Sequence, residues 1–367
     1  MKIVHFADLH LDAQFAWAGV GSDAARRRRQ GLRDALGRIA ELVKETAADA
    51  LFCGGDLYEN DRIAPDTAEF LRATFAELDP VRVFLAPGNH DWYGPQSLYG
   101  LVEWSPNVHV FAEPRLVPVR IDTDLTLWGS AHCVPANTGN FLEGFKAEGP
   151  GGHIALFHGS ERTWLSAQGN DKQPHAPFDA SDIESAGLEH AFLGHYHVPR
   201  DADRHTYPGN PEPLAFGEDG ERGAVIATID TGEVLRERRE VAGGSVHDLT
   251  LDITGCATRE QVRERLDKAV DGLSGLVRLT VSGEIDRRVE LHENELRDVL
   301  LARFEAARIR RGELRAGYDL DAIRHENTVR GQFVNDVLDA DLPEDERRRV
   351  LMTGLRALDG RGDLEVL

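Results

Sequence analysis

Short apolar runs alternate along this chain with longer stretches in which apolar residues return every three or four positions. The first run, residues 2–7 (KIVHFA), reads as a buried strand. A helix is predicted over residues 24–47, where Leu32, Leu36, Ile39 and Val43 fall on one face. Residues 50–53 form a second strand. The next helix opens near Pro65-Asp66, a pair suited to a first turn, and carries the stripe Phe70, Leu71, Phe75 and Leu78. Residues 81–85 are a third strand. A β-α-β-α-β order predicts parallel pairing through helical crossovers.

The texture changes after residue 105. Alternating runs at 108–111, 116–121 and 125–130 predict an antiparallel sheet that completes a second layer. Further strands are expected at 153–157, 191–193 and 223–229, with a turn at Gly232, while 136–152 and 166–181 read as loops. Gly243-Gly244 ends this region. Beyond it, residues 246–253 alternate as a strand does, Thr258 opens a capping box with a helix burying Val262, Leu266, Ala269 and Leu273, and 276–281 is another strand. A small two-layer β-α-β domain is expected to about residue 318, followed by charged helical pieces at 322–338 and 344–358. Val329, Phe333, Val337 and Leu338 form an apolar face on the first of these, and packing on its own domain is the expected use of it.

The polar residues that follow the apolar runs are not random. The strand tips read Asp8-Leu9-His10, Gly54-Gly55-Asp56, Gly88-Asn89-His90-Asp91, His158-Gly159 and Gly194-His195-Tyr196-His197. Strand ends of open α/β sheets are where ligands and metals sit. Asp8, His10, Asp56, Asn89, His158, His195 and His197 supply two carboxylates, four imidazoles and an amide oxygen, with no thiolate. Such a set suits Mn²⁺ or Fe²⁺ better than a structural Zn²⁺. Seven donors exceed one ordinary site and fit two ions if a carboxylate bridges them. Two ions ~3.5–4 Å apart hold a hydroxide between them and clamp a phosphoryl group.

DxH, GGD, GNHD, HG and GHxH, in that order and each after a strand, resemble the calcineurin-like metallophosphoesterases. GGDLY, GHYHVP and YPGNPEPLAFGE (residues 207–218) narrow the resemblance to the SbcD-type DNA repair nucleases. It is clear over residues 1–240 and rests on architecture alone beyond them. It implies a four-layer α/β/β/α phosphoesterase sandwich (residues 1–243) and a small α+β capping domain (244–318); the residues themselves add a helical tail (319–367) whose apolar face packs on its own domain or docks a partner. It also implies that Asp8, His10, Asp56 and His197 hold one metal and that Asp56, Asn89, His158 and His195 hold the other, with Asp56 bridging. His90 would assist the leaving oxygen, with Asp91 orienting it. The implied activity is Mn²⁺-dependent hydrolysis of DNA, exonucleolytic on duplex ends and endonucleolytic on single strands or hairpins, with Fe²⁺ or Zn²⁺ as alternative metals. A homodimer and an SbcC-like coiled-coil ATPase are the implied partners. Three positions depart from the pattern: Glu59 stands where archaeal members have His, Asn210 replaces the Ser of PGS, and Trp92 occupies a place where a small residue is common.

Composition sharpens the alternatives. The formal net charge of −21 over 367 residues opposes a general affinity for polyanions, so basic groups for DNA would have to be local. Arginine runs at 26–29, at Arg308, Arg310 and Arg311, and at 347–349 read as solvated helix faces. A phosphodiesterase or phosphatase for nucleotides or other small esters would use the same metal ligands, and a non-catalytic scaffold would have lost some. His5, His109, His132, His153, His175, His190 and His205 carry no motif. Three scattered Cys without CxxC spacing indicate reduced thiols, and a strand starting at Lys2 leaves no room for a signal peptide, so a cytoplasmic protein without a membrane span is expected.

Overall fold

The computed structural model describes every residue except 19–21, 169–173, 231–232, 287–288, 290 and 361–367, and the side chain of Ala316. Gly232, expected as a turn, lies outside the described residues. The rest form two compact units, Met1–Gly244 and Ser245–Leu367.

The first unit begins with β1 (Lys2–Phe6), α1 (Asp23–Glu45), β2 (Ala50–Cys53), α2 (Thr67–Ala76), β3 (Arg82–Leu85), the short α3 (Leu98–Leu101) and β4 (Val108–Val110). Strands β1 to β4 pair in parallel. Ser22 caps α1 by accepting from the Ala25 amide, one of the donors a helix start leaves unpaired. Next come β5 (Val117–Asp122), β6 (Leu125–Gly129), β7 (Gly152–His158), α4 (Ala180–Ser185), β8 (His190–Gly194), β9 (Arg200–Asp201) and β10 (His205–Tyr207). Finally β11 (Gly223–Asp230) and β12 (Glu233–Glu240) return to the first sheet. The two six-stranded sheets run β12-β11-β1-β2-β3-β4 and β5-β6-β7-β8-β10-β9.

The central strands are almost continuously buried and mostly apolar because both of their faces are covered. Val4, Phe6, Leu51, Cys53 and Leu85 face the helices with Leu32, Leu36, Leu71 and Phe75. Ile3, Ala50, Phe52 and Phe84 meet Leu127, Ile154, Leu156 and Phe192 between the sheets. Ala155, Phe157, Ala191 and Leu193 look outward onto Ile183 of α4 and its surroundings. This is the α/β/β/α sandwich.

Two expectations are corrected. The second sheet is mixed: β5 pairs antiparallel with β6, but β6, β7 and β8 are parallel neighbours. β4 belongs to the first sheet, beside β3. Alternation reports which face a residue occupies and is silent on strand direction.

The second unit holds β13 (Val246–Asp252), α5 (Arg259–Ala269), β14 (Leu276–Asp286), α6 (Glu293–Leu301) and β15 (Ala306–Gly317). Its three strands are all parallel, in the order β13-β14-β15, so the unit is a small crossover α/β layer rather than α+β. Thr258 caps α5 through the Gln261 amide, and Val262 and Leu266 are buried. Arg308, Arg310 and Arg311 lie on strand β15, not on a helix face. The helices α7 (Leu320–Ile323), α8 (Val329–Asp339) and α9 (Glu344–Leu358) pack on one another through Ile323, Val334, Val337, Leu351 and Leu355, with Phe333 and Leu338 against them, while Val329 is exposed. Among the described residues no helix is long and apolar enough to cross a membrane.

Candidate metal centre

The tips of β1, β2, β3, β7 and β8 meet where the two sheets touch. Their approach is close enough to exclude side chains at two positions. A Cβ on Gly194 would collide with the Gly54 carbonyl oxygen, and one on Gly88 would collide with Asp56 Oδ1. Beyond the strand ends the backbone turns left-handed at non-glycine residues: φ is +56° at Asp8, +51° at His10, +52° at Asp56 and +118° at His195. Such conformations cost on the order of 1–3 kcal/mol each and gather at functional sites. Backbone ties hold them. The Asp8 amide donates to Gly55 O and the His10 amide to Asp56 O, both at 2.9 Å.

Donor atoms converge in three overlapping groups: Asp8, His10 and His197; Asp8, Asp56 and His158; and His10, Asp56 and His90. Within them His158 Nε2 lies 3.3 Å and His10 Nε2 3.7 Å from Asp56 Oδ2. Asn89 Oδ1 is 3.1 Å from His158 Nε2. His195 joins none of the three groups. Its amide donates to both oxygens of Asp8 at 3.0 Å, and its ring centroid is 5.2 Å from that of His158.

A set of partners behind these side chains fixes their tautomers. His158 Nδ1 donates to Gly54 O at 2.9 Å, His10 Nδ1 to Glu59 Oε1 at 2.8 Å and His197 Nδ1 to Glu218 Oε1 at 2.7 Å. Each turns Nε2 towards the cluster, the arrangement by which metal-binding imidazoles are usually oriented. The Nε2 atoms of His10 and His195 are buried without a hydrogen-bond partner. Buried polar atoms are ordinarily satisfied, so two orphaned imidazole lone pairs beside two buried carboxylates fit a site built for divalent cations.

Electrostatics point the same way. Burial works to raise Asp56, but the imidazoles of His158 and His10 hold it well below the usual carboxylate range. Burial raises Asp8. His158 is pushed up to about 9: burial opposes protonation, and the Asp56 carboxylate outweighs it. Burial drives His195 well below its ordinary value.

Four residues play parts that differ from the expectation or were absent from it. Asp91 does not touch His90. It accepts from the amides of Gly88 (2.6 Å), Leu57 (2.7 Å) and Asp56 (3.1 Å) and from the Tyr99 hydroxyl (2.5 Å), and so shapes the two loops that carry Asp56 and Asn89. The group that orients His90 is Glu59, whose Oε2 accepts from His90 Nδ1 at 3.0 Å while its Oε1 holds His10. Against burial, these two hydrogen bonds bring Glu59 down to about 2, and Glu59 with Asp56 lifts His90 to about 9. Glu218 is held by Asn210 Nδ2 and the Leu214 amide, both at 2.7 Å, and Asn210 in turn accepts from the buried Arg222. Asn210 therefore belongs to the scaffold behind His197. The acid of Glu59 was visible in the sequence as a departure from a motif. Glu218, 21 residues beyond His197, ends the YPGNPEPLAFGE motif, but nothing in that motif linked it to His197.

Residues 1–199, more than half of the chain, match the calcineurin-like phosphoesterase family. The chain belongs to that family, whose members are metal-dependent hydrolases of phosphate esters. It is 24% identical over 250 residues to the uncharacterized metallophosphoesterase YhaO of Bacillus subtilis (strain 168), covering 65% of this chain and 59% of that protein. It thus spans less than two thirds of that relative's length. It is also 24% identical over 395 residues to the DNA double-strand break repair protein Mre11 of Methanopyrus kandleri, covering 98% of this chain and 83% of that one. Among solved structures, TT1561 of Thermus thermophilus aligns with a TM-score of 0.38 at 15% identity, over 65% of this chain and 98% of its own. A dimetal phosphatase from Danio rerio aligns with a TM-score of 0.35 at 14% identity, over 66% and 96%.

Proposed function

We propose that this chain is a two-metal DNA nuclease, with Mn²⁺ as its working ion, cutting duplex ends and single-stranded or hairpin DNA. The observation that carries the reading is the gathering of Asp8, His10, Asp56 and His158 from three strand tips, with Asp56 within reach of His10 on one side and His158 on the other. The preference for DNA draws support from a likeness to Mre11 that runs through the second unit as well as the first.

In this reading Asp8, His10, Asp56 and His197 hold one ion and Asp56, Asn89, His158 and His195 the other. When bound, the ions supply an activated water and neutralise charge on the phosphoryl oxygens. The protein supplies the rest. Asp56 Oδ1 accepts the His90 amide at 2.9 Å, and Glu59 fixes the His90 ring, so Nε2 of a side chain 45% exposed is left to give a proton to the leaving oxygen. A homodimer and a coiled-coil ATPase partner of the SbcC type belong to the same reading. The second reading is hydrolysis of small phosphate esters, which the net charge of −21 favours.

Chelator-stripped protein reloaded with Mn²⁺ tests the two readings. End-labelled duplex and hairpin DNA are followed beside bis(p-nitrophenyl) phosphate, with Asp56→Asn and His90→Ala as controls. The nuclease reading expects DNA to be cut and both variants to be inactive. Hydrolysis of the small diester alone replaces it with the second reading. Loss of both activities in fully loaded protein leaves a scaffold.

A further inference from the structure

The loop that carries Asn89 and His90 goes on to an indole that the metal chemistry does not use. Trp92 is partly exposed, yet among the described residues it joins none of the apolar clusters, has no aromatic neighbour and makes no hydrogen bond. The Tyr93 side chain beside it packs into the first core. A large aromatic left out of every described core has a reason other than packing.

The loop is unusually fixed. The Gly88 amide donates to Asp91, the His90 amide to Asp56, and the His90 carbonyl accepts from the Asn60 amide at 3.0 Å. On the far side the Tyr93 amide donates to His132 O at 2.7 Å and the Gly94 amide to Ser97 Oγ at 3.1 Å. Gly94 makes the seat for the ring: a Cβ there would fall 2.6 Å from Trp92 Cζ3. The backbone is thus pinned before and after Trp92, and the indole rests on a glycine. Two residues of chain span at most ~7 Å, so the Trp92 backbone stays within that distance of His90. That is the neighbourhood of the nucleotide next to the bond being cut.

We propose that Trp92 is a base-stacking residue, its indole receiving the nucleobase adjacent to the phosphodiester presented to His90. The inference rests on the nuclease reading and adds a recognition element to it. Aromatic stacking tolerates every base because each has a π-face. It would give the enzyme a preference for base-bearing strands that a cluster of metal ligands lacks, and would do so without the positive charge this acidic chain is short of.

The test uses the full chain loaded with Mn²⁺. Inhibition of bis(p-nitrophenyl) phosphate hydrolysis is measured for a thymidine hexanucleotide and for the same oligomer with abasic sugars at its central positions. The readout is the ratio of the two inhibition constants within each protein, which is insensitive to its overall activity. The parent is expected to bind the base-bearing oligomer about tenfold more tightly, in the range of one stacked base. Trp92→Ala should bring the ratio near one and Trp92→Phe should largely restore it. Trp92→Leu, which keeps bulk without a π-face, should fall with the alanine variant and covers a failure of Trp92→Ala to fold. A parent ratio near one, or a ratio unchanged in Trp92→Ala and Trp92→Leu, overturns the stacking role while leaving the nuclease intact. No inhibition by either oligomer overturns the DNA reading, and this one with it.

Discussion

The two units handle polar groups in opposite ways. In the first, Asp8, Asp56, Asp91, His5 and His158 are buried, and all the described non-glycine residues with left-handed backbone are found there. In the second, Arg356 is the one charged or polar side chain buried among the described residues, its Nη2 donating to Val289 O, and the core is Leu251, Val277, Leu279, Leu266 and Leu300. Buried carboxylates and strained turns lower stability unless something compensates for them. The first unit therefore holds a site at the expense of its own stability, and the second is built for packing. The difference separates the mutations that alter chemistry from those that alter folding.

The largest effect is expected at Asp8. Asp8→Asn should lower kcat/KM on a phosphodiester at least about a thousandfold, because charge stabilisation by metals is worth several kcal/mol. Burial disfavours this carboxylate in its charged form, so the metal-free variant should melt no lower than the metal-free parent. A lower melting temperature would break the contrast. The converse case is Leu279→Ala in the second unit, expected to destabilise by about 2–5 kcal/mol in urea titration while KM for a small diester is unchanged.

His5 sharpens the contrast through pH. Its ring lies between the sheets, bonded to Leu193 O at 3.0 Å, and burial lowers it from 6.5 to about 4. The unfolded chain takes up a proton below pH 6.5 that the folded chain refuses. The contribution is whole above that value and is lost as pH falls from 6.5 towards 4, by up to about 3 kcal/mol. Urea midpoints across this window should fall less steeply in His5→Leu than in the parent. The smallest effect belongs to the carboxylate behind His197. Glu218→Gln should weaken metal binding or activity by about 10–100-fold, as other orienting partners of metal-binding imidazoles do. Calorimetric titration of Mn²⁺ would measure it.

Most of the candidate cluster was legible because Asp8, His10, Asp56, His158 and His197 follow apolar strands directly, and a strand tip fixes where a side chain goes. What was not legible depends on chain segments far apart in sequence. Glu218 reaches His197 only because the PGN turn folds back through Asn210 and Arg222. Asp91 stands next to His90 in the sequence and yet turns inward to the amides of Gly88 and Leu57. β15 was missed because its sequence, AARIRRGELRAG, buries little and shows charge where a strand usually shows alternation. The parallel middle of the second sheet was missed because period-two patterns look alike in either direction.

The seam at Gly54 and Gly194 has a consequence for how the spacing of the donors is inherited. Asp8, His10, Asp56 and Asn89 come from one sheet, and His158, His195 and His197 from the other. At Gly54 and Gly194 the two halves meet backbone to backbone. The separation of the two donor sets at this seam is therefore limited by a mechanical stop rather than by a side chain. A methyl group added to either glycine acts as a shim: it widens the gap between the two donor sets and leaves every donor chemically intact. Enzymes of this build would lose activity by losing gauge as readily as by losing a ligand.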